Sequence, residues 1–209
     1  PRQLLRGYLA AESRPVNVVD LFAGAGGLGL GFAMTRRNGL RYRLLFSGEV
    51  HPIYVHTLDR NHRTLARILR TDAGEVVPEQ TRPVDLRSPT ALKTIKSLAR
   101  GAGGLDLLVG GPPCQGFSNA NRNSRHEFNP HNEHVFLFMK YVAELRPPVF
   151  LMENVQGIFW TTRNGDRLSV LDRIVRRLEL LGYLVFPKIL DAVWYGAPQF
   201  RSRFFILGI

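Results

Sequence analysis

Cys114 is the only cysteine among 209 residues. It stands in Gly110-Gly111-Pro112-Pro113-Cys114-Gln115-Gly116-Phe117-Ser118, just past an apolar run over 105–109 that reads as a buried parallel strand. In open α/β sheets ligands bind outside the carboxyl ends of the strands, so a thiol here stands where chemistry is done. Pro112 and Pro113 fix the backbone before it, and Gly116 permits a tight turn after it. Such a frame holds a sulfur still while leaving it approachable. Free cysteines more often pack as small hydrophobes; the Gly/Pro frame and the polar continuation favour a nucleophile.

Carboxylates recur at other strand ends. Glu153 follows the apolar run 149–152 and neighbours Cys114 if the two strands lie side by side. A carboxyl half-buried behind an apolar strand tends to hold its proton, which suits a donor near neutral pH. Glu49 ends the run 44–47, where it can accept from ribose hydroxyls, and Asp85 ends 83–86, where it can accept from the exocyclic amine of a base. In the last stretch Gln199, Arg201 and Arg203 alternate, so an extended backbone puts all three on one face.

These groups need a scaffold, and the pattern supplies one. The apolar run 16–22 leads into Ala23-Gly24-Ala25-Gly26-Gly27-Leu28-Gly29 and then a helical pattern to about residue 38. Strand, glycine turn and helix make a nucleotide-type loop, with positive φ available and unpaired N–H groups at the helix start. By itself such a turn is weak, because many strand–helix turns are structural. Further strands are expected over 44–47, 83–86, 105–109, 149–152, 183–190 and 203–207. Helices are expected over 52–69, 89–100, 131–145 and 167–181. Seven strands alternating with helices predict an α/β fold with a mostly parallel sheet. Residues 1–15 read as an N-terminal arm or short helix, 71–81 as a polar loop, and 16–209 as one catalytic domain. Residues 119–126 are polar and basic without periodicity, suiting an active-site loop that meets phosphates and bases.

Composition narrows the class. The formal net charge is +11, most of the 28 basic residues being arginine, which suggests a polyanionic partner such as nucleic acid. No apolar run approaches the ~18–20 residues of a membrane span. One cysteine makes no internal disulfide and fits a reducing, cytoplasmic setting. His51, His56 and His62 match no metal-ligand spacing and read as surface or packing residues, so no metal is expected.

The ordered blocks Asp20-Leu21-Phe22-Ala23-Gly24-Ala25-Gly26-Gly27, Glu49, Asp85, Pro112-Pro113-Cys114-Gln115, Glu153-Asn154-Val155 and Gln199-Phe200-Arg201-Ser202-Arg203 resemble the cytosine-5 DNA methyltransferases. The resemblance implies a Rossmann-like, seven-stranded methyltransferase sheet, S-adenosylmethionine as methyl donor, and a cytosine flipped out of double-stranded bacterial DNA, as in restriction-modification systems. It puts Phe22, Ala23, Gly24, Gly26, Gly27, Leu28, Val50 and Leu86 on the cofactor, with Glu49 at its ribose, Asp85 at its adenine, and Pro113 at the junction with the base. It makes Cys114 the nucleophile, Glu153 the proton donor to N3 and Arg203, supported by Arg201, the partner of O2. Gln115, Ser118, Asn119, Asn154 and Gln199 fall to the substrate. In the family a target-recognition region follows these blocks. Its absence from the sequence implies a missing segment or a second polypeptide that supplies it. Two alternatives stay open: a transfer-RNA cytosine-5 methyltransferase, and an inactive methyltransferase-like subunit that binds DNA.

Overall fold

The computed structural model describes residues 14–35, 40–69, 82–113, 133–156 and 170–209. The expected arm is described only at Arg14 and Pro15, and the loops over 71–81 and 119–126 lie outside the described residues. In chain order the elements are β1 (Val16–Leu21), α1 (Gly27–Met34), β2 (Tyr42–Gly48), α2 (Pro52–Leu69), α3 (Pro89–Gly101), β3 (Leu107–Gly110), α4 (Glu133–Leu145), β4 (Val149–Asn154), α5 (Val170–Leu180), β5 (Val185–Asp191), a 3₁₀ turn (Ala192–Tyr195) and β6 (Ser202–Gly208). The fold is α/β, with helices flanking a mixed sheet of order β2-β1-β3-β4-β6-β5. The chain divides into two compact units, 1–107 and 108–209.

In the first unit β1 and β2 run parallel, Asp20 opposite Ser47 and Leu21 opposite Gly48. Val18, Val19 and Leu21 are fully buried, as expected of a parallel strand covered on both faces. Helix α2 turns Val55, Leu58, His62, Leu65 and Ala66 inward at helical spacing. Helix α3 starts on Ser88, whose side chain accepts from the Thr90 N–H, with Pro89 in the first turn. Polar bonds fasten the amino end of β1. Asn17 donates to the carbonyls of Ala102 and Gly104 at 3.0 and 2.8 Å. Asp106 accepts from the Asn17 N–H at 2.8 Å and from both terminal nitrogens of Arg14 at 2.7 Å.

The second unit is built on β6, which is antiparallel to β4 and to β5. Phe204, Ile206 and Gly208 alternate inward along it. The Phe150 ring meets those of Tyr183 and Phe138 edge-on, centroids 5.0 and 6.3 Å apart, and the Tyr183 hydroxyl donates to the Pro147 carbonyl at 2.7 Å.

Seven strands are expected from the sequence, and the described residues contain six. The missing one is 83–86. Pro83 has no N–H for a ladder, the Val84 N–H donates to the Glu49 carbonyl at 2.7 Å, and the Asp85 carbonyl accepts from Ser88 in a turn into α3. A short apolar pair after a proline resembles a strand in sequence, but here it is a turn hung on the end of β2.

Candidate active site

In the first unit the glycine turn is shaped by its own sterics. β1 exits through Phe22 at φ 56°, a left-handed conformation uncommon for an aromatic residue and frequent at functional sites. The Ala23 N–H donates to the Gly48 carbonyl at 2.9 Å. Gly26 caps α1 at φ 96°, and a Cβ there would fall 2.7 Å from Leu58 Cδ1. A Cβ on Gly24 or Gly27 would meet nothing within 4 Å. The turn is therefore packed from below and open above, a cradle that a ligand can approach along its backbone.

Two carboxylates hold this cradle. Glu49, nearly buried, accepts from the Gly24 N–H on Oε2 at 2.8 Å and from the Val50 and His51 N–H groups on Oε1 at 2.9 and 2.8 Å. It thus ties the turn to the end of β2. Beneath the turn Asp20 Oδ2 accepts from the Gly29 N–H at 2.9 Å, meeting an otherwise unpaired donor in the first turn of α1. Asp20 Oδ1 and the facing Ser47 hydroxyl are buried with no hydrogen-bond partner among the described residues. Burial pushes the Asp20 carboxyl up to about 7; the Gly29 bond opposes this and the charge of Glu49 adds to it.

Around the cradle Leu28 is half-buried and Val50 is exposed. Leu86 is buried, its Cδ2 so close to Gly48 that a Cβ on that glycine would lie 2.7 Å away. Asp85 is more exposed than expected at a strand end, and both its oxygens accept from the Arg87 guanidinium at 2.9–3.2 Å.

In the second unit β3 opens into Gly111, where a Cβ would stand 3.3 Å from Glu153 Oε2. A bare backbone at this position lets the strand exit pass against that carboxyl. Asn154, fully buried, donates to the Pro112 carbonyl at 3.3 Å and accepts from the Val155 N–H at 2.8 Å. Its amide thereby anchors the proline pair that leads to Cys114, and Pro113 is exposed beyond it. Glu153 and Arg203 are both about three-quarters buried, with Nε 3.0 Å from Oε1. Burial pushes the Glu153 carboxyl above its usual range, against the charges of Arg203 and Arg201 and the bond from Arg203. Arg203 also donates to the Ser202 carbonyl at 2.9 Å. Arg201 and Gln199 are exposed.

Of the residues singled out in the sequence, the structure brings Phe22 to Leu28 together with Glu49, and Glu153 with Arg203, Asn154 and the Gly111–Pro113 segment. Cys114, Gln115, Ser118 and Asn119 lie outside the described residues. Three further residues shape these sites: Asp20 under the glycine turn, Gly111 against Glu153, and Asp191, which accepts from the Arg201 N–H at 3.0 Å and the Ser202 hydroxyl at 2.5 Å. Only Asp20 carried a signal, as an acidic residue closing the first strand. Among the described residues no His, Cys, Asp and Glu cluster could hold a metal ion, and no helix is long and apolar enough to cross a membrane.

The family model for the C-5 cytosine-specific DNA methylase matches residues 16–209. The chain is 35% identical over 193 residues to the Type II methyltransferase M.AgeI of Thalassovita gelatinovora, covering 92% of this chain and 39% of that protein. It is 34% identical over 194 residues to M1.HphI of Haemophilus parahaemolyticus, covering 91% and 45%. The chain thus spans less than half the length of these curated relatives. Among solved structures, a putative DNA modification methyltransferase encoded within an Escherichia coli prophage aligns with a TM-score of 0.63 and 28% identity over 93% of this chain and 46% of that one. The Entamoeba histolytica methyltransferase EhMeth, 19% identical with a TM-score of 0.65 over 94% and 53%, shares the fold. Matched along nearly its whole length, the chain belongs to the C-5 cytosine-specific DNA methylase family.

Proposed function

We propose that the protein is a DNA cytosine-5 methyltransferase of the restriction-modification kind, using S-adenosylmethionine to methylate C5 of a cytosine swung out of double-stranded DNA. The observation that carries this reading is Glu153, its carboxyl pushed above the usual range by burial, bonded to Arg203 at 3.0 Å and placed against the Gly111–Pro113 approach to the sole cysteine.

The cradle fits the cofactor. Its glycines leave open space, Glu49 stands at the strand end where a ribose would be held, and exposed Val50 offers an apolar wall. Phe22, Gly24 and Leu28 would complete that pocket, with Leu86 and Asp85 towards the base; Pro113 is assigned to the cytosine. Asp85 would exchange its Arg87 bond for the adenine amine. S-adenosylmethionine bound there supplies an electrophilic methyl group.

The chain's own residues make cytosine receptive. C5 is a poor nucleophile until the Cys114 thiolate adds at C6, forming a C–S bond and sending the electron pair towards C5. Glu153 delivers its proton to N3 as that pair moves, so negative charge does not accumulate on the ring. Arg203 donates to the cytosine O2 and keeps Glu153 oriented, with Arg201 adding positive potential. After methylation the C5 proton leaves to a base, its bonding pair expels the Cys114 thiolate, and Glu153 recovers the N3 proton. A stacked base cannot reach the thiol, so the nucleotide must leave the helix. Gln115, Ser118, Asn119 and Gln199 are assigned to holding it. Asn154 acts chiefly by fixing Pro112. The same reading locates the protein in the bacterial cytoplasm with its DNA, and adds a target-recognition region carried on this protein or a second polypeptide.

Incubation with tritiated S-adenosylmethionine and either duplex DNA or transfer RNA tests the reading. Label should enter DNA as 5-methylcytosine and vanish in Cys114→Ser. Label in transfer RNA alone would move the assignment to the RNA enzyme, and label in neither, with cofactor bound and the target-recognition region supplied, to the inactive subunit.

A further inference from the structure

The connection between β5 and β6 displays three aromatic rings to solvent: Trp194 is 84% exposed, Tyr195 71% and Phe200 89%. It is a tied loop. Asp191 at its start accepts on Oδ1 from the Val193 and Arg201 N–H groups at 3.3 and 3.0 Å, and on Oδ2 from the Ser202 hydroxyl at 2.5 Å. The 3₁₀ turn Ala192–Tyr195 is closed by Gly196 at φ 87°, and the Ala192 N–H donates to the Arg201 carbonyl at 3.1 Å. The rings therefore stand on a fixed frame rather than a floppy tether.

Water is a poor neighbour for three large rings, so a partner that covers them is favoured. Its chemistry follows from the surroundings. Between 192 and 203 there is no acidic residue, Arg201 and Gln199 are exposed among the rings, and the chain carries a net +11. The one carboxylate at the base of the loop, Asp191, is turned inward on the loop's own donors. Flat apolar faces on a polyanion meet both conditions. We propose that this loop is a nucleobase-stacking contact in which Trp194 and Phe200 pack against unpaired bases of the DNA. Bases inside an intact duplex hide their faces in the stack, whereas opening around a flipped nucleotide exposes them. The inference rests on the nucleic-acid reading above and requires no methyl transfer.

Fluorescence anisotropy of a labelled oligothymidylate of about 15 nucleotides and of a duplex of equal length, without cofactor, tests it at two salt concentrations. Trp194→Ala and Phe200→Ala should each weaken single-strand binding about tenfold and duplex binding far less. The salt slope should not change, because stacking releases no counterions. Trp194→Phe and Phe200→Tyr should restore affinity, while Phe200→Leu should not, which separates ring stacking from apolar burial. Unchanged single-strand affinity in both alanine variants would overturn the proposal. So would rescue by leucine, or a change of oligomeric state on light scattering in place of the affinity change, since either would assign the rings to a protein contact. Cys114 is untouched in every variant, so failure here is distinguishable from failure of the methyltransferase reading.

Discussion

Two buried ionisable residues in the first unit act on stability in opposite directions. Asp20 keeps its proton in the fold up to about pH 7, against an ordinary value of 3.8. Between these values the unfolded chain releases a proton that the folded one retains, so stability falls as pH rises. His62 is fully buried on α2, with neither ring nitrogen bonded among the described residues, and burial pulls it down to about 4. From pH 4 to 6.5 the unfolded chain binds the proton that His62 refuses, so stability rises with pH. The two slopes, each at most about 1.4 kcal/mol per pH unit, offset each other across that range. Urea unfolding between pH 4.5 and 7.5 should expose them separately: Asp20→Asn should leave a rising slope and His62→Leu a falling one. Parallel profiles would show that neither ionisation is shifted as described. Glu49, with three backbone donors, builds the cradle itself. Glu49→Ala should therefore lose about 1–3 kcal/mol of apo stability in addition to about ten- to a hundredfold in S-adenosylhomocysteine affinity by calorimetry.

At the scale of elements, α1 offers a matched pair of tests, because its glycines differ in what surrounds them. A Cβ on Gly29 would meet Asp20 Oδ2 at 2.8 Å and Leu44 Cδ2 at 3.2 Å, whereas one on Gly31 meets nothing within 4 Å. Gly31→Ala should raise stability by up to about 1 kcal/mol through helix propensity. Gly29→Ala should lower it by about 1–3 kcal/mol, overpacking outweighing the same gain; urea midpoints of the two variants should move in opposite directions. The elements were legible where periodicity was strong: α2 over 52–69 and α3 from Pro89 stand as expected, because an apolar stripe defines each and Ser88 caps α3. The strand expected over 83–86 was not, since a proline followed by Val and Leu carries the right hydropathy and the wrong hydrogen bonding. Asp191 and Gly111 were also hidden. One acts on backbone amides ten residues away, and the other matters only through closeness to Glu153, neither of which sequence spacing displays.

For the whole molecule, the order of short motifs carried the family, because most of the blocks follow an apolar run at a recognisable place in the chain. What those motifs could not convey was how the carboxylates are balanced. Burial pushes the Glu153 carboxyl above its usual range while the Arg203 pair opposes that shift and orients it, and the methyltransferase reading uses that balance. Covalent trapping tests the Cys114 chemistry itself. With S-adenosylmethionine and duplex DNA carrying 5-fluorocytosine at the target, fluorine replaces the C5 proton and the thiol cannot be expelled. A denaturation-resistant protein–DNA adduct should form whose crosslinked peptide contains Cys114, abolished in Cys114→Ser and slowed in Glu153→Gln. An adduct undiminished in Cys114→Ser, or methylated DNA formed with no adduct trapped, would contradict that chemistry.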